Sequence, residues 1–304
     1  MSDVPYVDAA TLRRLVPTTA AVDALERTFR AGGVEVPQRS HVRAGPGELL
    51  VMPARGPEGV GVKLVTVNPE NPPAGRALIN GVYVLFSADT LEPVLTIDGA
   101  AVTALRTPAV SALATKHLAA PDARTLLVFG AGTQAQGHVE AMRAVRQIDS
   151  VVVVGRSRET VAALVSEVQA HGVEARAGAP EDVAEADIVC TCTTSASPLF
   201  DGLLLRRGAH VNAVGAYKPN ARELDDAAMR RAAVYVEDRA AALTEAGDLL
   251  IPIESGALDE TSIRDLRELL TAGPTEDADV TVFKSVGLAS EDLAVATAAW
   301  DAFR

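Results

Sequence analysis

The amino-acid sequence predicts an α/β protein in two parts, a doubly wound parallel sheet and a smaller α+β domain ahead of it. Three observations carry this. Residues 125–136 read as an apolar, β-prone run that meets Gly130-x-Gly132-x-x-Ala135. Ser150-Val-Val-Val-Val154 is a β-branched run of the kind found in buried parallel strands. Residues 36–97 break into short strand-like runs separated by Gly, Pro and Asn turns.

In chain order, residues 20–29 predict a helix with Thr18 or Thr19 as its N-cap and Gly32-Gly33 as its stop. Strand candidates follow at 37–43, 48–53, 60–67, 81–86 and 93–97, which together predict a mainly antiparallel or mixed sheet. Residues 100–118, rich in Ala and Leu, predict a helix with Pro108 in its early turns, where a missing N–H is tolerated. Pro121-Asp122 marks a boundary. Beyond it, strands at 173–176, 187–192, 210–214 and 234–236 alternate with helical segments, the pattern of right-handed crossovers.

Composition narrows the function. The 304 residues are 48% hydrophobic, ample for a core, and the formal net charge is −12 from 28 Lys and Arg against 40 Asp and Glu. No broad basic face for nucleic acid can be assembled from that balance, and an anionic substrate needs a local cationic pocket. Cys190 and Cys192 lie too close in one strand for a bridge and read as reduced core residues. No signal-like start or membrane-length apolar run is present, which predicts a soluble cytoplasmic protein with no membrane partner. The five histidines show no metal-ligand spacing and are expected at surface or helix positions, so no metal is predicted. Glu223, Asp225 and Asp226 read as a helix start, and the acidic stretch 273–279 reads as a solvated loop.

The glycine motif has a mechanical meaning. Gly130 allows the tight strand-to-helix turn, Gly132 lets backbone amides approach a pyrophosphate, and Ala135 lets helix and strand pack closely. Thr133 and Gln134 open the helix whose free N–H groups favour an anion. This is the Rossmann dinucleotide signature. At the end of the next strand an NAD site offers Asp or Glu to the ribose, whereas this chain has Gly155-Arg156-Ser157-Arg158. Two guanidiniums and a hydroxyl suit a 2′-phosphate, which predicts NADP(H) over NAD(H), with NAD(H) still possible. A plain basic surface turn leaves the missing acid unexplained. Ligands in such sheets sit at the carboxyl ends of strands, which puts Thr193 and Gly215 near the nicotinamide and Tyr217 near the substrate.

Three cations, Arg39, Lys63 and Arg106, lie in or beside apolar strands or helices. A charge there is costly unless paired or used. Each alone reads as a structural ion pair. Together, in an acidic chain ahead of a nucleotide domain, they predict a carboxylate-binding pocket. Arg106 would clamp the carboxylate through two parallel bonds, and Lys63 would attract it or handle a proton. Arg43 is a weaker fourth candidate.

Several ordered blocks carry a resemblance. They are Val51-Met-Pro-Ala54, Lys63-Leu-Val-Thr66, Asp98-Gly-Ala-Ala-Val-Thr-Ala-Leu-Arg-Thr107, Ala109-Val-Ser-Ala-Leu-Ala114, Phe129-Gly-Ala-Gly-Thr-Gln-Ala135, Gly208-Ala-His-Val-Asn-Ala-Val-Gly215, Arg222-Glu-Leu-Asp225, and Thr281-Val-Phe-Lys-Ser-Val-Gly287 with Glu291-Asp292. With these the chain resembles the ornithine cyclodeaminase/μ-crystallin family over nearly its whole length. The resemblance implies a homodimer, with a substrate-binding and dimerisation domain over 1–118 rejoined by 289–304, and a Rossmann domain over 119–288. It further implies that Arg39, Lys63 and Arg106 match the substrate-carboxylate residues and that Lys284 and its neighbours lie by the nicotinamide; Thr107 is a further cofactor-binding candidate. Members that cyclise ornithine carry an aspartate where this chain has Tyr217, and the stretch 218–225 is more similar to the ketimine reductase branch. The expected activity is NADP(H)-dependent reduction of a cyclic or linear α-imino acid, or the reverse amino-acid dehydrogenase reaction. Ornithine cyclodeamination, which recycles NAD and releases ammonia, and a catalytically silent crystallin-like NADPH or ligand binder are the alternatives.

Overall fold

A six-stranded sheet and an eight-stranded sheet organise the computed structural model, which describes residues 4–304. The strands are β1 (Tyr6–Val7), β2 (Ser40–Ala44), β3 (Gly47–Gly56), β4 (Gly59–Val67), β5 (Ile79–Phe86), β6 (Pro93–Asp98), β7 (Thr125–Phe129), β8 (Ser150–Val154), β9 (Glu174–Ala177), β10 (Ile188–Thr191), β11 (His210–Ala213), β12 (Ala232–Val236), β13 (Arg264–Asp265) and β14 (Val280–Lys284). The helices are α1 (Ala9–Leu15), α2 (Thr18–Ala31), α3 (Gly99–Leu118), α4 (Thr133–Val145), α5 (Arg158–Ala170), α6 (Asp226–Arg231), α7 (Arg239–Glu245), α8 (Gly247–Glu254), α9 (Leu266–Ala272) and α10 (Ala289–Phe303). One unit runs to Val110 and resumes over Gly287–Arg304; the other is Ser111–Val286.

The first unit holds a mixed sheet in the order β1-β6-β5-β4-β3-β2, antiparallel except where β1 runs parallel to β6. The period-2 pleat decides which side chains enter the core. On β4, Gly61, Lys63 and Val65 take the buried face, and Lys63 stands in register with Met52 of β3 and Tyr83 of β5. Helix α10 covers β3, β4 and β5 and also packs on α2, so the chain's last helix closes the first unit's core. Two expectations change here. Pro17 takes the N-cap place of α2 with extended backbone and no side-chain cap, which leaves Thr18 and Thr19 inside the helix, and α1, capped by Asp8, precedes it. Pro108 lies in the middle of α3, where it forgoes a bond to the Ala104 carbonyl; residues 106–115 are all buried, and this packing sustains the helix through the break.

The second unit is an all-parallel sheet in the order β13-β12-β14-β11-β10-β7-β8-β9, with β7 and β10 where the strand order reverses. Leu127, Phe129, Val189, Val211, Val234 and Val282 belong to its core. Strand β14, fully buried between β11 and β12, arrives from the far end of the sequence and was not evident as a strand from its pattern. The division of units falls inside α3 at Val110 rather than after Leu118, because the second half of this helix bonds into the second unit. Ser111 Oγ lies 3.0 Å from His138 Nε2, Asn212 Nδ2 donates to Thr115 Oγ1 at 2.9 Å, and Arg146 donates to the carbonyls of Thr115 and Ala119. His138 lies on helix α4, as expected for the histidines, whereas His210 corrects that expectation. Both are fully buried, His210 in a strand, and burial lowers their pKa to about 4 and about 3. Cys190 and Cys192 are free thiols, and burial pushes Cys190 up to about 12.

Candidate active site

The first unit gathers opposite charges away from water. Lys63 is 1% exposed and Arg106 6%, while Glu291 and Asp292, in the first turn of α10, are fully buried. Lys63 Nζ donates to Asp292 Oδ1 at 2.7 Å, and Arg106 Nε donates to the same oxygen at 3.1 Å. Arg106 Nη1 donates to Glu291 Oε2 at 3.0 Å. Each desolvated ion costs several kcal/mol unless it is paired in good geometry, and acids in a helix's first turn are further favoured by its dipole. Burial lowers the Lys63 pKa to about 8, Asp292 opposes that fall, and Arg106 adds to it.

Gly287 links the two arginines. Its carbonyl accepts from Arg39 Nη2 at 2.6 Å, its φ is +77°, and a Cβ there would collide with the Arg106 guanidinium. The structure therefore brings Arg39, Lys63 and Arg106 into one cluster around residues 287–292. Arg43 lies on exposed β2 instead, and Thr107 is buried on α3 directly after Arg106. Glu291 and Asp292 stood in a resemblance block without a role. Their partner Lys63 is 229 residues away from Asp292, so no local signal reveals the pairing.

The second unit has a candidate nucleotide site of its own, built largely from backbone. Gly130 has φ +104°, its N–H donates to the Val154 carbonyl at 2.8 Å, and a Cβ there would approach the Cys192 carbonyl to 2.5 Å. Only glycine fits that turn. Gly132 is the N-cap of α4, has no side-chain cap and has open space beside it, and Thr133 and Gln134 form the first turn. A pyrophosphate fits this helix end, because its first amides have no side-chain cap and a Cβ at Gly132 would meet open space. At the end of β8, Arg156 and Ser157 are exposed; Ser157 caps α5 by accepting from the Thr160 N–H at 3.3 Å, so its own hydrogen remains to be donated.

At the carboxyl ends of β10 and β11 a buried carboxylate organises the loops. Glu223 Oε1 accepts from Thr193 N at 2.9 Å and Thr193 Oγ1 at 2.6 Å; its Oε2 accepts from Thr191 Oγ1 at 2.8 Å, Gly215 N at 2.7 Å and Ala216 N at 3.3 Å. Asp225 and Asp226 do begin α6, but Glu223 lies before that helix and is fully buried, which corrects its reading as part of the helix start. The signal available was position: Glu223 precedes the N-cap Asp225 by two residues. Asp248 accepts from the N–H groups of Glu223 and Leu224 at 2.8 and 3.0 Å and pairs with Lys284 Nζ at 3.0 Å. Lys284, fully buried, also donates to the carbonyls of Ala213 and Ala216. Its ammonium is thus held in the interior, fastening strand ends together, and is not presented to an open site. Tyr217 follows on the loop, half-buried, with the Lys218 ammonium 5.8 Å from its ring centre.

Among the described residues, no group of three or more His, Cys, Asp or Glu could hold a metal ion, and no helix is long and apolar enough to cross a membrane.

Known proteins share this architecture. A Δ1-pyrroline-2-carboxylate reductase of Bacillus cereus is 41% identical over 257 residues, covering 81% of this chain and 79% of that protein. Ketimine reductase mu-crystallin of Mus musculus is 37% identical over 277 residues, covering 90% and 86%. A solved structure of Thermococcus litoralis Δ1-pyrroline-2-carboxylate reductase in complex with NADH and L-proline matches with a TM-score of 0.93 at 30% identity, covering 98% of this chain and 96% of that one. The family model for the ornithine cyclodeaminase/mu-crystallin family matches residues 7–304, and the chain belongs to that family.

Proposed function

We propose that this protein reduces a cyclic α-imino acid of the Δ1-pyrroline-2-carboxylate kind to the corresponding amino acid with NADP(H), as a cytoplasmic homodimer. The observation that carries the reading is a buried lysine with a pKa near 8, held 2.7 Å from Asp292 beside an arginine pair, in a chain that also bears a nucleotide turn. The reductases named above act on substrates of this chemistry, and one of them is seen with NADH and L-proline.

Arg106 and Arg39 take the substrate carboxylate, with three cations set against two acids in their cluster. Lys63 gives a proton to the imine nitrogen, or keeps it as the iminium, and so makes the adjacent carbon electrophilic. When bound, the dihydronicotinamide supplies the hydride for that carbon. Gly130, Gly132, Thr133 and Gln134 receive the pyrophosphate, Arg156 and Ser157 the 2′-phosphate, and Thr107, Thr193 and Gly215 the nicotinamide end. Lys284 acts through Ala213 and Ala216, and Tyr217 lies on the substrate side. Positioning and charge placement account for most of the rate, because the protonated imine needs little other help. With Tyr217 in the place of the cyclising aspartate, loss of ammonia from ornithine lacks its carboxylate.

The test compares oxidation of NADPH and NADH with pyrroline-2-carboxylate, piperideine-2-carboxylate, and a keto acid plus amine. Faster NADPH oxidation with a cyclic imine is expected. Ammonia from ornithine without net change in the nucleotide would contradict the proposal, as would nucleotide binding with no oxidation across the panel.

A further inference from the structure

The first turn of α10 presents two buried acids to the same two cations, but not equally. Asp292 Oδ1 accepts from both Lys63 Nζ and Arg106 Nε, at 2.7 and 3.1 Å, whereas the ion pair of Glu291 at 3.0 Å is to Arg106 Nη1. We propose that Asp292 is a positioning residue that aims the Lys63 ammonium, while its neighbour Glu291 orients Arg106, so that one helical turn separates proton handling from carboxylate capture. This rests on the imine-reductase reading of the cluster.

The geometry makes the division enforceable. Helix α10 is packed along β3, β4 and β5, and residues 289–297 are all buried, so neither carboxylate can swing toward the other's partner without moving the helix. Lys63 is equally constrained, on the buried face of β4 between Met52 and Tyr83. The titratable groups facing it are Tyr83 from β5, Arg106 from α3, and Glu291 and Asp292 from α10. Tyr83 is itself held neutral, since burial and the Asp292 charge push its hydroxyl well above its ordinary value. Of the remaining charges, Asp292 raises the Lys63 pKa most, Arg106 lowers it, and Glu291 raises it least. Neutralising Asp292 therefore lowers the Lys63 pKa and costs the ammonium its fixed direction. Neutralising Glu291 chiefly loosens Arg106.

The chain contains four lysines, Lys63, Lys116, Lys218 and Lys284, so side-chain nitrogens of a ¹⁵N-lysine-labelled sample are resolvable. The experiment follows the Lys63 Nζ titration by NMR, and kcat and KM against pH for Δ1-pyrroline-2-carboxylate at saturating NADPH, in wild type, Asp292→Asn, Asp292→Glu and Glu291→Gln. In wild type, Lys63 is expected to titrate near 8, with kcat falling as pH rises through the same value. Asp292→Asn is expected to move both to lower pH by about one unit and to cut kcat at least tenfold, with NADPH affinity within twofold. Glu291→Gln is expected to raise KM at least fivefold and leave the alkaline limb in place. Asp292→Glu should restore the limb while lowering kcat through its displaced oxygen. An Asp292→Asn limb at the wild-type pH, or an equal shift from Glu291→Gln, overturns the inference. If Asp292→Asn does not fold, Asp292→Glu decides: a fivefold loss of kcat at unchanged KM supports it, and unchanged kcat overturns it. A wild-type protein inactive on the imine sinks the functional reading alone, because the NMR titration still decides the Asp292–Lys63 relation.

Discussion

The two units place their polar groups in opposite ways. The first relies on side-chain charges taken out of water, Lys63, Arg106, Glu291 and Asp292, drawn from β4, α3 and α10. The second relies on backbone, the Gly130–Gly132 turn and the open end of α4, with Glu223 holding the loops after β10 and β11 in place from behind. A charged cluster gives proton chemistry and strong attraction, but each member depends on the others. A backbone cradle gives shape and tolerates side-chain change around it.

That contrast orders the expected effects of mutation. Lys63→Met strikes the centre of the charged cluster, and turnover should fall at least about a hundredfold, read as kcat for pyrroline-2-carboxylate; a loss confined to KM would make Lys63 a binding residue only. Arg106→Leu removes the partner of two buried carboxylates. It should raise KM more than it lowers kcat, and destabilise the fold by about 3–5 kcal/mol, measured by chemical denaturation; unchanged stability would mean that the acids reach water or protons cheaply. Glu223→Gln replaces one acceptor oxygen with a donor, which leaves at least one of the N–H or O–H groups of Thr191, Thr193, Gly215 and Ala216 without its bond. The NADPH Kd should rise about tenfold, as a lost charged hydrogen bond implies, while imine KM at saturating NADPH stays near wild type. A change of similar size, confined to the choice of nucleotide, is expected from exposed Arg156→Asp. The ratio of NADPH to NADH specificity should drop by about tenfold, and an unchanged ratio would remove Arg156 from the phosphate site.

The same contrast explains what the residues disclosed in advance. The nucleotide turn is contiguous, so residues 125–136 announce strand, turn and helix, and the β-branched run at 150–154 announces the next strand. Lys63 and Arg106 stood out because a charge in an apolar segment violates the local pattern. Their partners did not, since Glu291 and Asp292 look like ordinary first-turn acids until α10 is folded over β4. The role of Glu223 escaped for the same reason, as did the partners of Lys284, a residue that the resemblance had placed with the nicotinamide. Glu223 sits beside a true helix start, and Lys284 finds Asp248 and the carbonyls of Ala213 and Ala216 only once β14 slots between β11 and β12. His210 was hidden likewise, because Thr281 and Asn212 satisfy its ring inside the sheet. Pairings of buried polar groups are tertiary facts, and a linear pattern shows at most one partner.

In the proposed reaction a hydride from NADPH reaches the carbon of an imine whose carboxylate and nitrogen are governed by the Lys63–Arg106 cluster. The direct measurement supplies NADPH deuterated at the transferring C4 position together with Δ1-pyrroline-2-carboxylate, and analyses the product by mass spectrometry and NMR. Proline carrying deuterium at Cα, formed in step with NADPH consumed, is the predicted result. Proline without deuterium, or no product while both ligands bind, would contradict it.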